Sequence, residues 1–206
     1  MLKLFYSPGS CALASHIALE ESGAAYETRR IDFGSAEQTK PEYLAINPKG
    51  RVPALMTERG ILTESPAILL YIAQSFPAAH LAPLADPFAL AKMQAFNSFM
   101  CATVHVAHAH RVRAYRWTDD GAAIETMKQK APQNMRDCFA MIERDMLTGP
   151  WVMGDSYSVA DGYLFTLARW LEGDGVDVKE FPKVTAHMQR ISQRPAVKKM
   201  LALHTT

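Results

Sequence analysis

The sequence predicts two unlike halves, an α/β domain over residues 1–76 and an all-α helical domain over residues 88–206. Two observations lead to this fold class. Strand and helix patterns follow the order β-α-β-α-β-β-α across the first half, which is typical of an α/β sandwich. From Phe88 onward apolar residues recur at helical spacing, and no convincing strand pattern is found. A stretch with three prolines at 77–87 separates the halves, and we interpret it as a packed linker.

The first half divides into short elements punctuated by turn residues. Residues 2–6 form an apolar run that predicts a strand, and residues 11–22 predict a helix that Gly23 ends as a C-cap. Pro8 and Gly9 form the tight turn between them, because proline fixes φ and glycine permits φ > 0. The remaining predicted elements are a strand at 26–32, a short helix or turn at 41–46, strands at 52–56 and 61–63 joined by a hairpin turn, and a helix at 64–75.

The second half is predicted to be a series of helices. Its predicted helical stretches are 88–117, 122–147, 163–171, 182–192 and 195–204. Pro132 lies inside the second stretch, so we expect a kink or a restart there. Ser158 and Asp161 form a capping-box pattern that opens the third helix, which is apolar almost all round. That helix should therefore lie at the core of the helical half.

Composition and charge argue against several classes of function. The 206 residues are 49% hydrophobic and 21% charged with a formal net charge of +1, so charge indicates neither a nucleic-acid partner nor a membrane surface. No apolar run is long enough for a membrane span, and the run at the start is too short for a signal-peptide core. Cys11, Cys101 and Cys138 are odd in number and far apart, which argues against a disulfide framework. We therefore expect a protein of the reducing cytoplasm.

The turn before the first helix places a thiol at a helix N-terminus. Unpaired backbone N–H groups and a partial positive charge at that end favour thiolate over thiol. A sulfur held there, whether that of Cys11 or that of a bound ligand, would be activated. The alternative is that Cys11 is a small buried helix residue, as free cysteines often are.

Three separated motifs carry a family resemblance. They are Tyr-Ser-Pro-Gly-Ser-Cys-Ala-Leu-Ala at 6–14, Asn-Pro-Lys-Gly-Arg-Val-Pro-Ala-Leu at 47–55 followed by Leu-Thr-Glu-Ser-Pro-Ala-Ile at 62–68, and Ser-Val-Ala-Asp at 158–161. Together they resemble the cytosolic glutathione S-transferase family, and the first looks like its bacterial beta class. The resemblance implies a thioredoxin-like first domain that binds glutathione as co-substrate, and a helical second domain that supplies a site for a hydrophobic electrophile. It also implies a homodimer.

The resemblance assigns six residues to glutathione binding: Arg51, Val52, Pro53, Glu64, Ser65 and His105. Pro53 stands where thioredoxin-like folds place a cis proline, so the backbone of Val52 should pair with the cysteinyl backbone of the ligand. Ser65, at the start of a helix, would hold the γ-glutamyl carboxylate, and Glu64 would meet the α-ammonium. Arg51 could reach a ligand carboxylate. The loop at 33–40 lacks a clear counterpart of the lysine that beta-class enzymes use for the glycine carboxylate.

Three residues compete for the glutathione sulfur. Cys11 matches the beta-class cysteine, and Ser10 matches the serine of the insect delta-type enzymes. Tyr6 ends the first strand near the place where tyrosine-type transferases keep their hydroxyl. A second cysteine does not follow Cys11 two residues on, so dithiol exchange is not expected, whereas monothiol exchange with glutathione stays open.

Histidines mark the predicted wall of the electrophile site. His105 matches a histidine that beta-class enzymes place near the thiol, and we expect it to line the site. His108 and His110 are expected to be packing residues. His105 and His108 share a helix face, but no third ligand and no carboxylate accompany them in the sequence pattern, so we expect no metal.

Three functions from different classes remain open at this point. The first is a glutathione transferase that stabilises the glutathione thiolate and adds it to a hydrophobic electrophile. The second is a monothiol disulfide or peroxide reductase that uses Cys11. The third is a glutathione-binding or ligand-binding protein without catalysis.

Overall fold

The computed structural model describes residues 1–204 and confirms the predicted order of elements in the first half. The strands and helices there are β1 (Leu2–Tyr6), α1 (Ala12–Ser22), β2 (Tyr26–Arg30), α2 (Pro41–Leu44), β3 (Ala54–Thr57), β4 (Gly60–Thr63) and α3 (Ser65–Ser75). The sheet order is β2-β1-β3-β4, with β1 parallel to β2 and antiparallel to β3. The predicted C-cap is present, since Gly23 has a φ of +69°.

The second half is helical, as predicted. Its helices are α4 (Pro87–Phe99), α5 (His105–Val112), α6 (Gly121–Met141), α7 (Val159–Ala168), α8 (Pro182–Ser192) and α9 (Pro195–His204). A π-helical segment, Met100–Val104, joins α4 to α5. Such π-bulges occur frequently at functional sites. No helix among residues 1–204 is long and apolar enough to cross a membrane.

The predicted length of the first helical stretch is wrong. The predicted run 88–117 ends at Val112, because Arg113 leaves the helical conformation with φ −143° and ψ 30°. A short 3₁₀ turn, Ala114–Arg116, follows. By contrast, α6 continues through Pro132 without a restart. Its buried face, formed by Ala131, Met135, Cys138 and Phe139, is anchored in the core, so tertiary packing outweighs the lost hydrogen bond.

The predicted capping box opens α7 firmly. The Asp161 carboxylate is fully buried and accepts hydrogen bonds from the backbone N–H groups of Ser158 and Val152, both at 2.8 Å, and from Nε2 of His187 at 2.9 Å. Burial of a carboxylate is costly unless its acceptors are satisfied, and these donors satisfy them. This anchors α7 against α8.

Helix α1 is buried along most of its length, from Ala12 to Leu19. Ala14 and Leu19 belong to the large core that includes the sheet, whereas Leu13 and Ile17 belong to a second core. The other buried residues of that second core come from the helical half: Phe165, Ile191, Val197 and Met200. The two halves therefore share α1 as a common wall.

Candidate active site between the two halves

A cleft of about 550 Å³ lies between the two halves, a size typical of small-molecule sites. Its lining includes eight of the nine residues predicted to act on glutathione or its sulfur: Ser10, Cys11, Arg51, Val52, Pro53, Glu64, Ser65 and His105. They come from the turn before α1, the loop before β3, the start of α3 and helix α5. Residues that are distant in sequence are thus brought together around one cavity.

Tyr6 is the predicted site residue that does not line this cleft. Its side chain is buried and packs against the rings of His16, at 5.2 Å between centroids, and His204, at 4.9 Å. Nδ1 of His16 and Nε2 of His204 share a hydrogen bond of 3.0 Å. Tyr6 therefore belongs to a buried aromatic stack that joins β1, α1 and α9.

The turn before α1 uses the Ser10 hydroxyl for its own structure. Ser10 Oγ donates to the Ser7 carbonyl at 2.6 Å and accepts from the backbone N–H of Ala12 at 3.3 Å. Both capacities of the hydroxyl are thus engaged within the turn. Gly9 makes the turn possible with a φ of +71°. Its carbonyl accepts a hydrogen bond from Nε1 of Trp170 at 3.0 Å, which ties the turn to the helical half.

Cys11 is a neutral thiol in this structure. Burial raises its pKa to about 11, and the lowering contributions of the Ser65 side chain and the Arg113 charge are smaller. Burial therefore outweighs the helix dipole at this position, which favours the alternative that Cys11 is a small buried residue. Cys11 Sγ instead donates to the Val52 carbonyl at 3.5 Å, directly beside the predicted glutathione backbone site.

The loop before β3 is organised around the carbonyl of Arg51. That oxygen accepts from Nδ2 of Asn47 and from the hydroxyl of Tyr43, both at 2.7 Å. The Val52–Pro53 peptide bond is cis, as predicted. The Arg51 side chain is exposed on the cleft wall. Asn47 thus shapes the loop, and it also lines the cleft.

The start of α3 presents both residues expected to meet the γ-glutamyl group. Ser65 is buried at the first position of the helix. Glu64 precedes it with a φ of +71° and a ψ of 120°, a conformation that L-residues rarely adopt. Backbone strain of this kind concentrates at ligand-binding positions. The Glu64 carboxylate forms an ion pair with Lys49, whose Nζ also donates to Thr63 Oγ1 at 2.8 Å.

The helical wall carries a histidine pair above the turn. Burial, and then the charges of His108 and Arg113, lower the pKa of His105 to about 3, so its imidazole is neutral at physiological pH. His105 meets the Trp170 ring edge-on at 5.0 Å, and His108 stacks on the same ring at 4.2 Å. The prediction of a lining role for His105 agrees with its position in the cleft.

His108 is more than the packing residue that the sequence predicts. It lines the cleft, and its Nδ1 bonds to both carboxylate oxygens of Asp174, at 2.8 and 3.0 Å. The Asp174 side chain is fully buried and also lies 3.6 Å from a guanidinium nitrogen of Arg111. With Nδ1 held in this way, Nε2 is the ring nitrogen left for a ligand. His110 does pack, against Trp117 at 4.5 Å between centroids.

Sequence reasoning missed several cleft residues. Tyr163 on α7 is fully buried, and its hydroxyl has no well-aligned hydrogen-bond partner among residues 1–204. Burial, and then the neighbouring thiols of Cys11 and Cys101, raise its pKa well above the ordinary value. Trp170, which lines the cleft, was also missed, as was Asp174, which contacts the cleft residue His108 without lining the cleft itself. Nothing in the local sequence marks these residues, because α7 and the turn after it reach the cleft only through the packing of the two halves.

Clusters of charged and sulfur-bearing side chains are the places where a protein could bind a metal ion. Among residues 1–204, no group of three or more His, Cys, Asp or Glu side chains is arranged to hold a metal ion. All three cysteines are free. Thiol, hydroxyl and imidazole side chains line the cleft beside the N-termini of α1 and α3.

Comparison with known proteins agrees with this arrangement. Residues 1–74 match the glutathione S-transferase N-terminal domain, and residues 96–195 match the glutathione S-transferase C-terminal domain. Glutathione S-transferase GstA of Escherichia coli O157:H7 is 30% identical over 203 residues, which cover 98% of each chain.

Two solved structures extend the comparison. A glutathione transferase homologue from Sulfitobacter with bound glutathione is 45% identical, with a TM-score of 0.97 and coverage of 100% of this chain and 99% of that one. A bacterial beta class enzyme from Sphingomonas chungbukensis is 35% identical, with a TM-score of 0.86 and coverage of 98% of each chain. The chain therefore belongs to the glutathione S-transferase family.

Proposed function

We propose that this protein is a glutathione transferase that binds glutathione in the cleft, keeps its sulfur anionic and transfers it to an electrophile. The observation that carries the proposal is the convergence of the turn before α1, the Val52–Pro53 loop and the start of α3 on one cavity. In the fold family, these three elements are the ones expected to hold the sulfur, the cysteinyl backbone and the γ-glutamyl group. The glutathione-bound homologue from Sulfitobacter supports glutathione as the ligand.

The tripeptide would be held by complementary charges and backbone groups. The N-terminus of α3 and the Ser65 hydroxyl would receive the γ-glutamyl carboxylate, since a helix N-terminus offers free N–H groups and a partial positive charge. Glu64 would bind the α-ammonium in place of its present partner Lys49. Arg51 would meet the glycine carboxylate, a contact that replaces the missing lysine of the 33–40 loop.

The sulfur of glutathione would lie between Cys11 and the helix N-terminus. A free thiol has a pKa of about 8.5, so only a few per cent is thiolate at pH 7. A neutral Cys11 thiol can turn from the Val52 carbonyl and donate to that thiolate. We assign this donor role to Cys11 rather than Ser10, because the Ser10 hydroxyl proton is already committed to Ser7 at 2.6 Å.

The burial of the Cys11 thiol argues against the reductase alternative. Monothiol exchange requires the cysteine thiolate as nucleophile. Burial raises the pKa of Cys11 to about 11, which keeps the thiol protonated at pH 7. A binding protein without catalysis would share the same cleft, and conjugation assays distinguish it from the transferase.

The test combines binding and turnover. Calorimetry with glutathione should show binding that Ser65→Ala weakens by about tenfold, through loss of one charge-assisted hydrogen bond. Ser75→Ala is the matched control, because Ser75 is exposed at the other end of the same helix. The wild type should also conjugate glutathione to members of a broad electrophile panel. Absence of both binding and turnover would overturn the proposal. Binding without turnover would instead identify a glutathione-binding protein without catalysis.

The proposal extends to a cytoplasmic homodimer. Free cysteines that form no disulfide are typical of proteins in a reducing compartment. Light scattering of the purified protein tests the oligomeric state, and a mass of one 22.9 kDa chain would contradict the dimer.

A further inference from the structure

The cleft has an excess of positive charge that the rest of the chain does not share. Its lining contains four basic side chains, Lys49, Arg51, Arg113 and Arg116, and a single carboxylate, Glu64. With neutral histidines this is a formal charge of +3, whereas the whole chain carries +1. Lys49 is paired with Glu64. The three arginines have no carboxylate within ion-pair distance anywhere in residues 1–204.

These arginines repel one another across the cavity. The pKa of Arg116 is lowered by burial and then by the charges of Arg113 and Arg51. The pKa of His105 is lowered by burial and His108, and after them by the same three guanidinium groups. Guanidinium groups that face one space without a counter-charge are complementary to an anion, and arginine is the residue best suited to hold a carboxylate.

Glutathione does not account for this charge. Its two carboxylates have candidate partners on the first half, at the start of α3 and at Arg51. Arg113 and Arg116 instead belong to the helical half, in the turn that follows α5. That turn is anchored by Ala114, which is buried, and it presents two exposed aromatic side chains to the cleft, Tyr115 and Trp117. Two arginines and two aromatic rings therefore form one wall opposite the glutathione site.

We infer that this wall, Arg113–Trp117, binds the second substrate and that this substrate is an aromatic or other unsaturated electrophile bearing a carboxylate. The inference rests on the proposed transferase function and narrows its substrate class. Tyr115 and Trp117 take the apolar body of the electrophile, while Arg113 and Arg116 take its carboxylate. The electrophilic carbon then faces the sulfur beside Cys11.

A pair of electrophiles that differ only in charge tests the inference. 4-Chloro-3,5-dinitrobenzoate carries a carboxylate, and the corresponding benzamide is neutral. In both, the glutathione thiolate forms a carbon–sulfur bond at the ring carbon and chloride leaves with the carbon–chlorine bonding pair. Each enzymatic rate is divided by the rate of the same electrophile with free glutathione, which removes the difference in intrinsic reactivity.

The double variant R113M/R116M keeps most of the apolar stems but removes both charges. We expect its kcat/KM for the carboxylate to fall by about 10-fold to 100-fold, since each lost charge-assisted bond is worth about tenfold. The kcat/KM for the benzamide and the KM for glutathione should each change by less than about twofold. R59M is the control, because Arg59 is exposed in the turn between β3 and β4, outside the cleft.

Three results would overturn the inference. The first is an equal loss for both electrophiles, and the second is a loss confined to the KM for glutathione, which would assign these arginines to glutathione. The third comes from quenching of tryptophan fluorescence, which follows binding without turnover because Trp117 and Trp170 line the cleft. If the wild type binds the benzoate no more tightly than the benzamide, the wall does not select anions. If the proposed transferase function itself is wrong, the wild type will conjugate neither compound. The fluorescence titration still shows in that case whether the wall prefers the carboxylate.

Discussion

Removing the Cys11 thiol should raise the pKa of bound glutathione, whereas removing the Ser10 hydroxyl should not. Cys11 Sγ points at the Val52 carbonyl and can transfer its single hydrogen bond to a ligand sulfur. The Ser10 hydroxyl donates to Ser7 at 2.6 Å, and its release would cost that turn bond. Substitutions at these two adjacent residues should therefore have different effects on the pKa of the bound thiol.

The expected magnitude follows from one hydrogen bond to an anion. Such a bond contributes about 1.5–3 kcal/mol, so Cys11→Ala should raise the pKa of bound glutathione by about 1–2 units and lower kcat/KM at pH 7 by roughly 10-fold to 100-fold. Ser10→Ala should change kcat/KM by less than about threefold, while it destabilises the turn by about 1 kcal/mol.

The assay is a pH titration of the ultraviolet absorbance of the thiolate in the glutathione complex. Cys11 itself does not interfere below pH 9, because its pKa of about 11 keeps it protonated there. Steady-state kinetics of the same two variants provide the independent readout. If Ser10→Ala raised the pKa of the bound thiol more than Cys11→Ala did, the assignment of the donor would be refuted.

Three further predictions concern stability. The pKa of Cys11 is about 11 in the folded protein and 9.0 for an ordinary thiol, so the free energy of unfolding should fall by about 2–3 kcal/mol as the pH rises from 9 to 11. Urea titrations of Cys11→Ala should lack this fall, and an equal fall in the wild type and the variant would contradict the raised pKa. Glu64→Gly should be about 1–2 kcal/mol more stable than Glu64→Ala in the same titration, because a φ of +71° strains alanine but not glycine. Equal stabilities of the two variants would argue against backbone strain at this position. Gly162→Ala should raise the melting temperature in calorimetry by about 2–4 °C, because glycine is a poor helix former and the added Cβ would lie 3.5 Å from Ile17, an ordinary contact distance. A lower melting temperature would show that the contact between α7 and Ile17 leaves no room for a methyl group.

Local sequence signals predicted the elements that they control. The capping box at Ser158 and the C-cap at Gly23 each depend on residues within a few positions, and both are present. The cis bond before Pro53, which the family resemblance implied, is also present. The end of α5 was missed, since residues 113–117 keep a helical composition and leave the helix only where Ala114 packs into the core. A turn determined by tertiary packing leaves little trace in a single sequence.

The residues of the candidate site also fall into those that a sequence motif marks and those that only tertiary packing brings to the site. Cys11, Glu64 and Ser65 lie within motifs, and the cleft contains all three. The protonation state of Cys11 was left open by the sequence, because burial depends on what the helical half places over the turn. Asp174 escaped attention for a related reason, since its partner His108 lies 66 positions earlier in the chain and no spacing rule joins them.

The shared burial of α1 means that glutathione affinity is a property of the whole chain. The turn that we propose to hold the sulfur is the direct extension of a helix whose second face is covered by α7, α8 and α9. A fragment ending at the linker would leave Leu13 and Ile17 in water and free the turn from Trp170. A substitution at Phe165 or Val197, remote from the cleft, would therefore be observed first as weakened glutathione binding, before any loss of helical content.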